Sequence, residues 1–143
     1  MDANKNIPKG KNYDAWKIPR RSREEFMRLS SNDQLRYLCA LGHLAPSTHN
    51  TQPWRFLIDT AASAIDIYIE RTCILPASDP AGREAVISIG ASAENIKTGA
   101  LYYGMRPLVA IEKIKKEEVT TLDGKIGGKK LVRFARISFS VKI

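Results

Sequence analysis

Alternation of apolar and polar residues gives the clearest strand pattern in this chain. Within residues 64–70, Ile65, Ile67 and Ile69 fall on one face, which is the period of a strand with one buried side. A turn at residues 60–63 would connect this strand to the one before it. Three more strands are predicted, at residues 54–58, 108–114 and 131–143, and the last of them also alternates.

Two other segments carry apolar residues at helical spacing. Residues 34–44 follow good capping chemistry at residues 31–33 and predict a helix with one buried face. Residues 83–103 form the longest helical pattern, and Gly104 suits its end. Asp79-Pro80 suits its start. The first part of this second helix is small and apolar on nearly every side, which is typical of a central helix with several neighbours.

The order of elements is therefore helix, strand, strand, helix, strand, strand. This order predicts an α+β layer fold, with an antiparallel or mixed sheet packed on a central helix, rather than a regular βαβ repeat. Residues 1–19 are expected to form an N-terminal arm, and residues 20–143 a single domain. The last two strands would be joined by a polar connection containing Asp123-Gly124 and Gly127-Gly128.

Composition places the chain among ordinary globular proteins. It has 143 residues, 43% hydrophobic and 27% charged, with a formal net charge of +8. Residues 1–29 carry eight basic and four acidic groups, and residues 105–143 carry ten and four, so the excess lies at the two ends. Aromatic residues are not interleaved with the basic ones, so we expect a solvated basic surface and no nucleic-acid partner.

Targeting and metal signals are absent from the sequence pattern. No apolar run is long enough to span a bilayer, so no membrane association is expected. The polar, basic start of the chain lacks the apolar segment of a secretory signal. Cys39 and Cys73 are the only cysteines and lie in no metal-binding pattern. These features predict a cytoplasmic protein without a structural disulfide or a metal.

Between the first helix and the first strand lies a segment rich in short polar side chains. Ser47, Thr48, Asn50 and Gln52 offer donors and acceptors without bulk, which suits the polar edge of a planar heterocycle. Prolines at both ends restrict the segment and reduce the entropy lost when a ligand binds. On residue chemistry alone, the same groups could equally cap their own backbone.

This segment resembles a motif of the nitroreductase superfamily, A-P-S-x-x-N-x-Q-P-W. A second block resembles the pattern L-P-x-x-D-P-x-x-R-E…I-S-x-G-A…N of the long, internally duplicated branch, whose N-terminal half this chain would represent. The likeness runs from about residue 13 to residue 108. The first motif is matched at Ala45, Pro46, Ser47, Asn50, Gln52, Pro53 and Trp54, and the second at residues 75–95.

The resemblance implies a nitroreductase-like layer fold and an FMN-dependent oxidoreductase. Family members bind FMN between two like halves, so a homodimer or a second half-domain would be needed. Electrons would pass from NAD(P)H through the flavin to nitroaromatics, quinones or similar acceptors, with no catalytic side chain required. The residues expected against the flavin are Pro46, Ser47, Thr48, Asn50 and Gln52.

A group of residues near the start of the chain is a candidate for binding the FMN phosphate. Many family members have an Arg-Arg-Ser-x-Arg element upstream of the proline loop, where guanidinium groups grip the phosphate. Here Arg20, Arg21 and Ser22 match that element, but Arg23 comes one place early and Glu24 stands in its position. The alternative is a solvated basic start of a helix.

Other residues near the motif have structural explanations. Trp54, Phe56 and Cys39 are expected in the core. His43 comes late in the first helix, where a protonated ring would interact favourably with the helix dipole. His49 is expected at the loop surface.

The chain looks truncated relative to the family, which leaves three explanations open. It is a homodimer of minimal halves, a form that has lost the flavin, or a piece of a longer reading frame. Two functional alternatives follow: a non-catalytic flavin-binding or flavin-storing protein, and a remnant that acts only through protein association.

Overall fold

The computed structural model describes residues 17–115 and 130–141. Within them, helices and strands follow the predicted α+β order after one additional short helix. All four strands pair antiparallel, with the second and fourth along the chain at the centre of the sheet and the first and third at its edges. The predicted turn residues 123–128 and most of the predicted arm lie outside the described residues. The elements are α1 (Arg23–Met27), α2 (Ser31–Gly42), β1 (Trp54–Asp59), β2 (Ala64–Glu70), α3 (Arg83–Tyr102), β3 (Met105–Ile111) and β4 (Leu131–Val141).

The core lies between one face of the sheet and the helices α2 and α3. Ile65, Ile67 and Ile69 of β2 are fully buried, as their alternation predicts. Asp66 lies on the other face of this central strand, yet it is also buried. Its burial is possible because the Arg136 guanidinium donates to it across the strand pair at 2.7 Å.

Helix α2 begins earlier than its sequence pattern predicts. Ser30, and not residues 31–33, is the N-cap, since its hydroxyl accepts from the Asp33 N–H at 3.1 Å. The helix ends at Gly42, before Pro46 could stop it.

Helix α3 matches its predicted range to within one residue. Gly82, and not Asp79, is the N-cap, with φ 65°. Because glycine has no side chain, the N-cap residue makes no capping hydrogen bond to the first turn. Asp79 still satisfies this end from outside, because its carboxylate accepts from the Ala85 N–H at 3.0 Å. At the other end, Gly104 turns the chain away with φ 84°.

Two glycines allow α2 and α3 to pack closely. A Cβ on Gly99 would lie 2.5 Å from a methyl carbon of Leu41, and one on Gly42 would lie 2.9 Å from Ile96. A Cβ on Gly90, on the opposite side of α3, would have nothing within 4 Å. Of the helices in the described ranges, none has the length and apolar character needed to cross a bilayer.

Candidate functional site

The polar segment predicted as a ligand loop lies between α2 and β1 and holds its own shape. Thr48–Asn50 form a single 3-10 turn. The Ser47 hydroxyl accepts from the Gln52 backbone N–H at 2.9 Å, and the Gln52 side-chain amide donates to the side-chain oxygen Oδ1 of Asn50 at 3.2 Å. Some of the loop's polar groups therefore bond to one another within the loop, as expected if they cap their own backbone.

Backbone strain is concentrated in the same loop. His49, Asn50 and Gln52 all have positive φ, at 48°, 55° and 47°. Left-handed backbone costs a residue with a side chain roughly 1–2 kcal/mol, although asparagine tolerates it better than most. Such strain persists only where the surroundings impose it, and it clusters at functional sites.

The loop is anchored at its far end by Trp54. This side chain is fully buried, as predicted, and its indole N–H donates to His43 Nδ1 at 2.9 Å. Desolvation, with a smaller effect of the Arg55 charge, lowers the pKa of His43. The helix-dipole explanation of His43 is therefore wrong, because a ring that accepts at Nδ1 from the indole is neutral there.

Three of the five predicted flavin residues line one groove. Pro46, Ser47 and Thr48 face α3 across an open space of about 230 Å³. Asn50 is exposed and Gln52 half-buried, and neither lines this groove. The α3 side of the groove consists of Glu84, Ile87, Ser88 and Ala91.

These four α3 residues were not among the site residues predicted from the sequence. Their spacing of three and four places puts them on one helix face, which was a usable signal. What that spacing could not show is that the polar loop packs against this face.

A larger groove, of about 740 Å³, lies between α2 and β1. Its lining includes Arg36, His43, Arg55 and Phe56, and none of the predicted flavin residues. Size alone therefore does not identify the site, since the strained loop borders the smaller groove.

The arginine element lies at the start of α1. Ser22 caps this helix: its hydroxyl accepts from the Glu25 N–H at 3.2 Å, and the Glu25 carboxylate accepts from the Ser22 N–H at 2.7 Å. Arg21 stacks over the Tyr37 ring at 5.6 Å, and its buried Nε has no hydrogen-bond partner among the described residues. Arg20 is exposed.

The arginine element and the polar loop lie at opposite ends of α3. The Tyr103 hydroxyl, just past the C-terminal end of α3, donates to the backbone oxygen of Arg21 at 3.2 Å. The groove borders Ser88, near the other end. At about 1.5 Å per residue, the helix separates the two by roughly 20 Å. One protomer therefore does not bring all the predicted flavin residues together.

Comparison with named proteins gives partial sequence matches, and no family model matches the chain. An uncharacterized protein of Mycobacterium tuberculosis is 36% identical over 55 residues, which are 37% of this chain and 16% of that protein. A second M. tuberculosis protein, named as a candidate NAD(P)H nitroreductase, acg, is 31% identical over 67 residues, or 47% of this chain and 20% of its own length. The match thus spans a fifth or less of these relatives.

Solved structures resemble the chain over most of its length. A candidate NADH oxidase from Clostridium acetobutylicum has a TM-score of 0.56 at 18% identity, over 88% of this chain and 86% of its own. A nitroreductase family protein from Streptococcus pneumoniae has a TM-score of 0.57 at 14% identity, over 93% and 91%. A candidate nitroreductase from Desulfovibrio desulfuricans, solved in complex with FMN, has a TM-score of 0.54 at 17% identity, over 92% and 86%. At these identities the likeness shows a shared fold.

Proposed function

This chain has the fold of the nitroreductase superfamily, and from that premise we propose that it is one half of an FMN-dependent oxidoreductase. Two copies would form a cytoplasmic homodimer that takes electrons from NAD(P)H and passes them to nitroaromatic, quinone or similar acceptors. The observation that carries this proposal is the strained polar loop held against an apolar groove. A loop of this kind is preformed, so little ordering is needed when a ligand binds.

The groove suits one part of a flavin. Ile87 and Ala91 provide an apolar surface for a flat ring, and the Ser47 and Thr48 side chains provide polar groups along its edge. Pro46 restricts the backbone conformations of the loop next to Ser47 and Thr48. When bound, the flavin would supply the redox chemistry, while these residues orient the ring and limit its contact with water.

The arginine element suits the phosphate. The Arg21 Nε has no hydrogen-bond partner among the described residues, and a phosphate oxygen would satisfy it once the side chain turns toward the bound phosphate. Arg20 adds a second guanidinium, exposed beside it. Ser22 uses its oxygen to accept the capping hydrogen bond, so its O–H is still able to donate to a phosphate.

A second copy of the chain would bring the two clusters together. Since they lie at opposite ends of α3, the loop of one copy would meet the arginine element of the other. The outer face of α3 supports this arrangement, because it exposes 71% of Ile87, 52% of Leu101 and 58% of Tyr102. Gly90 lies near Ile87 on this face. A glycine destabilises a helix by about 1 kcal/mol relative to alanine, yet no described residue packs closely enough on Gly90 to need the absence of a Cβ.

The direct test is the absorbance spectrum and subunit count of one purified sample. We expect a yellow dimer that releases FMN on heating and, once reloaded, oxidises NADPH or NADH with a quinone or a nitrofuran. A colourless protein that takes up no FMN in a titration would contradict the proposal. A folded dimer with no thermal shift on FMN addition would instead favour the remnant that acts through protein association.

One observation favours flavin storage as a second candidate. The described lining of the groove contains no basic side chain to bind the phosphates of a nicotinamide nucleotide. A storage protein would bind FMN tightly but turn over no NADPH or NADH with any acceptor. Steady-state oxidation of the reduced nucleotides separates the two functions.

A further inference from the structure

One charged side chain lies in the groove that we assign to the flavin. Glu84 is the single ionisable residue among the described residues that line it, and the others are apolar or hydroxyl-bearing. It belongs to the first turn of α3, where the helix dipole favours a negative charge. The groove is thus lined by one carboxylate.

The carboxylate of Glu84 is not fully satisfied by the protein. Its Oε2 is shielded from water and has no hydrogen-bond partner among the described residues. The side chain lies at a wall shared by the groove and a small cavity of about 10 Å³, which Thr48 and Ser88 also line. No described donor therefore offsets the charge on this oxygen, and the charge acts on whatever occupies the groove beside it.

Assuming the proposed flavin site, we infer that Glu84 determines acceptor specificity. Its carboxylate disfavours anionic electron acceptors by charge repulsion in a partly desolvated groove, and it favours neutral or positively charged acceptors. Nitroaromatic amides and cations are therefore preferred over nitroaromatic carboxylates of the same size.

A matched pair of acceptors tests this inference. We measure the ratio of kcat/KM for 4-nitrobenzamide to kcat/KM for 4-nitrobenzoate in the FMN-loaded protein. This ratio should be about tenfold higher in the wild type than in Glu84→Gln, which keeps the shape of the side chain and removes its charge. Glu94→Gln is the control, since Glu94 is exposed on the same helix, pairs with Lys97 and does not line the groove. It should leave the wild-type ratio unchanged.

Binding gives a second readout that does not depend on turnover. Titration of 4-aminobenzamide and 4-aminobenzoate into the FMN-loaded protein, followed by the flavin absorbance, should show the same preference and its loss in Glu84→Gln. Raising the salt concentration should reduce the preference of the wild type, a measurement that does not require the variant to fold.

The outcomes separate this inference from the function on which it rests. A wild-type protein that binds no FMN overturns the proposed function together with the inference. A wild type that reduces both acceptors with a ratio insensitive to salt and to Glu84→Gln overturns the role of Glu84 alone. A ratio that changes equally in Glu94→Gln also overturns it, since the effect would then follow net charge and not position.

Discussion

The two faces of α3 differ in what completes them. On the inner face, Ile89 and Ile96 are fully buried in the core, and Gly99 gives room to Leu41. On the outer face, Ile87 is largely exposed, and a Cβ added to Gly90 would have no described atom within 4 Å. The inner face of α3 is therefore buried by its own chain, whereas the outer face is left exposed. The groove lies along the outer face.

The polar loop repeats this division on a smaller scale. Its end at Trp54 is buried and hydrogen-bonded to His43, whereas its turn at Asn50 is exposed and strained. The anchored parts fix the shape, and the exposed parts present it to something outside the protomer. The following predictions test whether the molecule divides in this way.

Two isoleucines two residues apart give the largest contrast. Ile89→Ala should lower the free energy of unfolding by about 3 kcal/mol, because it leaves a cavity in the core. Ile87→Ala should change the unfolding free energy of the protomer by no more than about 0.5 kcal/mol, yet weaken both dimerisation and FMN binding. Urea denaturation at a concentration below the dimer dissociation constant measures the first effect. Similar losses of protomer stability in both variants would break the contrast between the faces.

Gly90→Leu should disturb assembly without disturbing the protomer. The new side chain meets open space in the protomer and removes a helix-destabilising glycine, so protomer stability should rise by up to about 1 kcal/mol. If a second α3 packs closely there, the dimer dissociation constant should increase at least about tenfold, since overpacking typically costs about 1–3 kcal/mol. Sedimentation velocity over a range of concentrations measures the change.

Gly99→Leu is the matched control on the inner face. Its side chain would collide with Leu41, so it should lower protomer stability. A Gly90→Leu protein that remains dimeric to the same dilution as the wild type would remove α3 from the interface.

Local patterns were enough to predict most elements of the fold. Strand β2 was predicted residue for residue because its alternation and its turn agree, and α3 because its small residues and Gly104 agree. Strand β3 was placed three residues late. The strand begins at Met105, which pairs with Val141 directly after Gly104. Pro107 obscured this start, because proline is not expected inside a strand. Proline is tolerated there because β3 is an edge strand, which is a property of the sheet and not of the segment.

The site was less accessible from sequence, for a related reason. The loop residues were identifiable because they are contiguous, and a family motif marks them. Glu84 and Ile87 belong to the groove only through the packing of the loop on α3, which no local pattern encodes. The separation of Arg21 from Ser47 is likewise set by the length of α3 and the path of the chain around it. Their roles in binding flavin stay predictions.

Asn50 tests what the exposed turn of the loop contributes. Asn50→Ala should weaken FMN binding by about 1 kcal/mol, because it removes the acceptor of the Gln52 amide and strains a positive φ. Asn50→Gly removes the same amide but relaxes the backbone. Equal losses of affinity in the two variants, measured by quenching of flavin fluorescence, would assign the effect to the amide. A loss in the alanine variant alone would assign it to backbone shape, and no loss in either would exclude Asn50 from binding.

His43 tests the anchored end of the loop and should give the smallest effect. Its pKa lies below the ordinary 6.5 in the folded protein, chiefly because of desolvation and secondarily because of Arg55. Arg36 lines the same groove and adds positive charge nearby. Above 6.5 the ring is neutral in both the folded and the unfolded states, so its contribution to stability is fully present. As the pH falls from 6.5 toward the lowered pKa, the unfolded state takes up the proton first and stability declines.

Since the ring is partly exposed, this decline should be modest. The urea midpoint should therefore fall less between about pH 7.5 and about pH 5.5 in His43→Gln than in the wild type. Equal shifts in the two proteins would show that the pKa of His43 is not lowered in the folded protein.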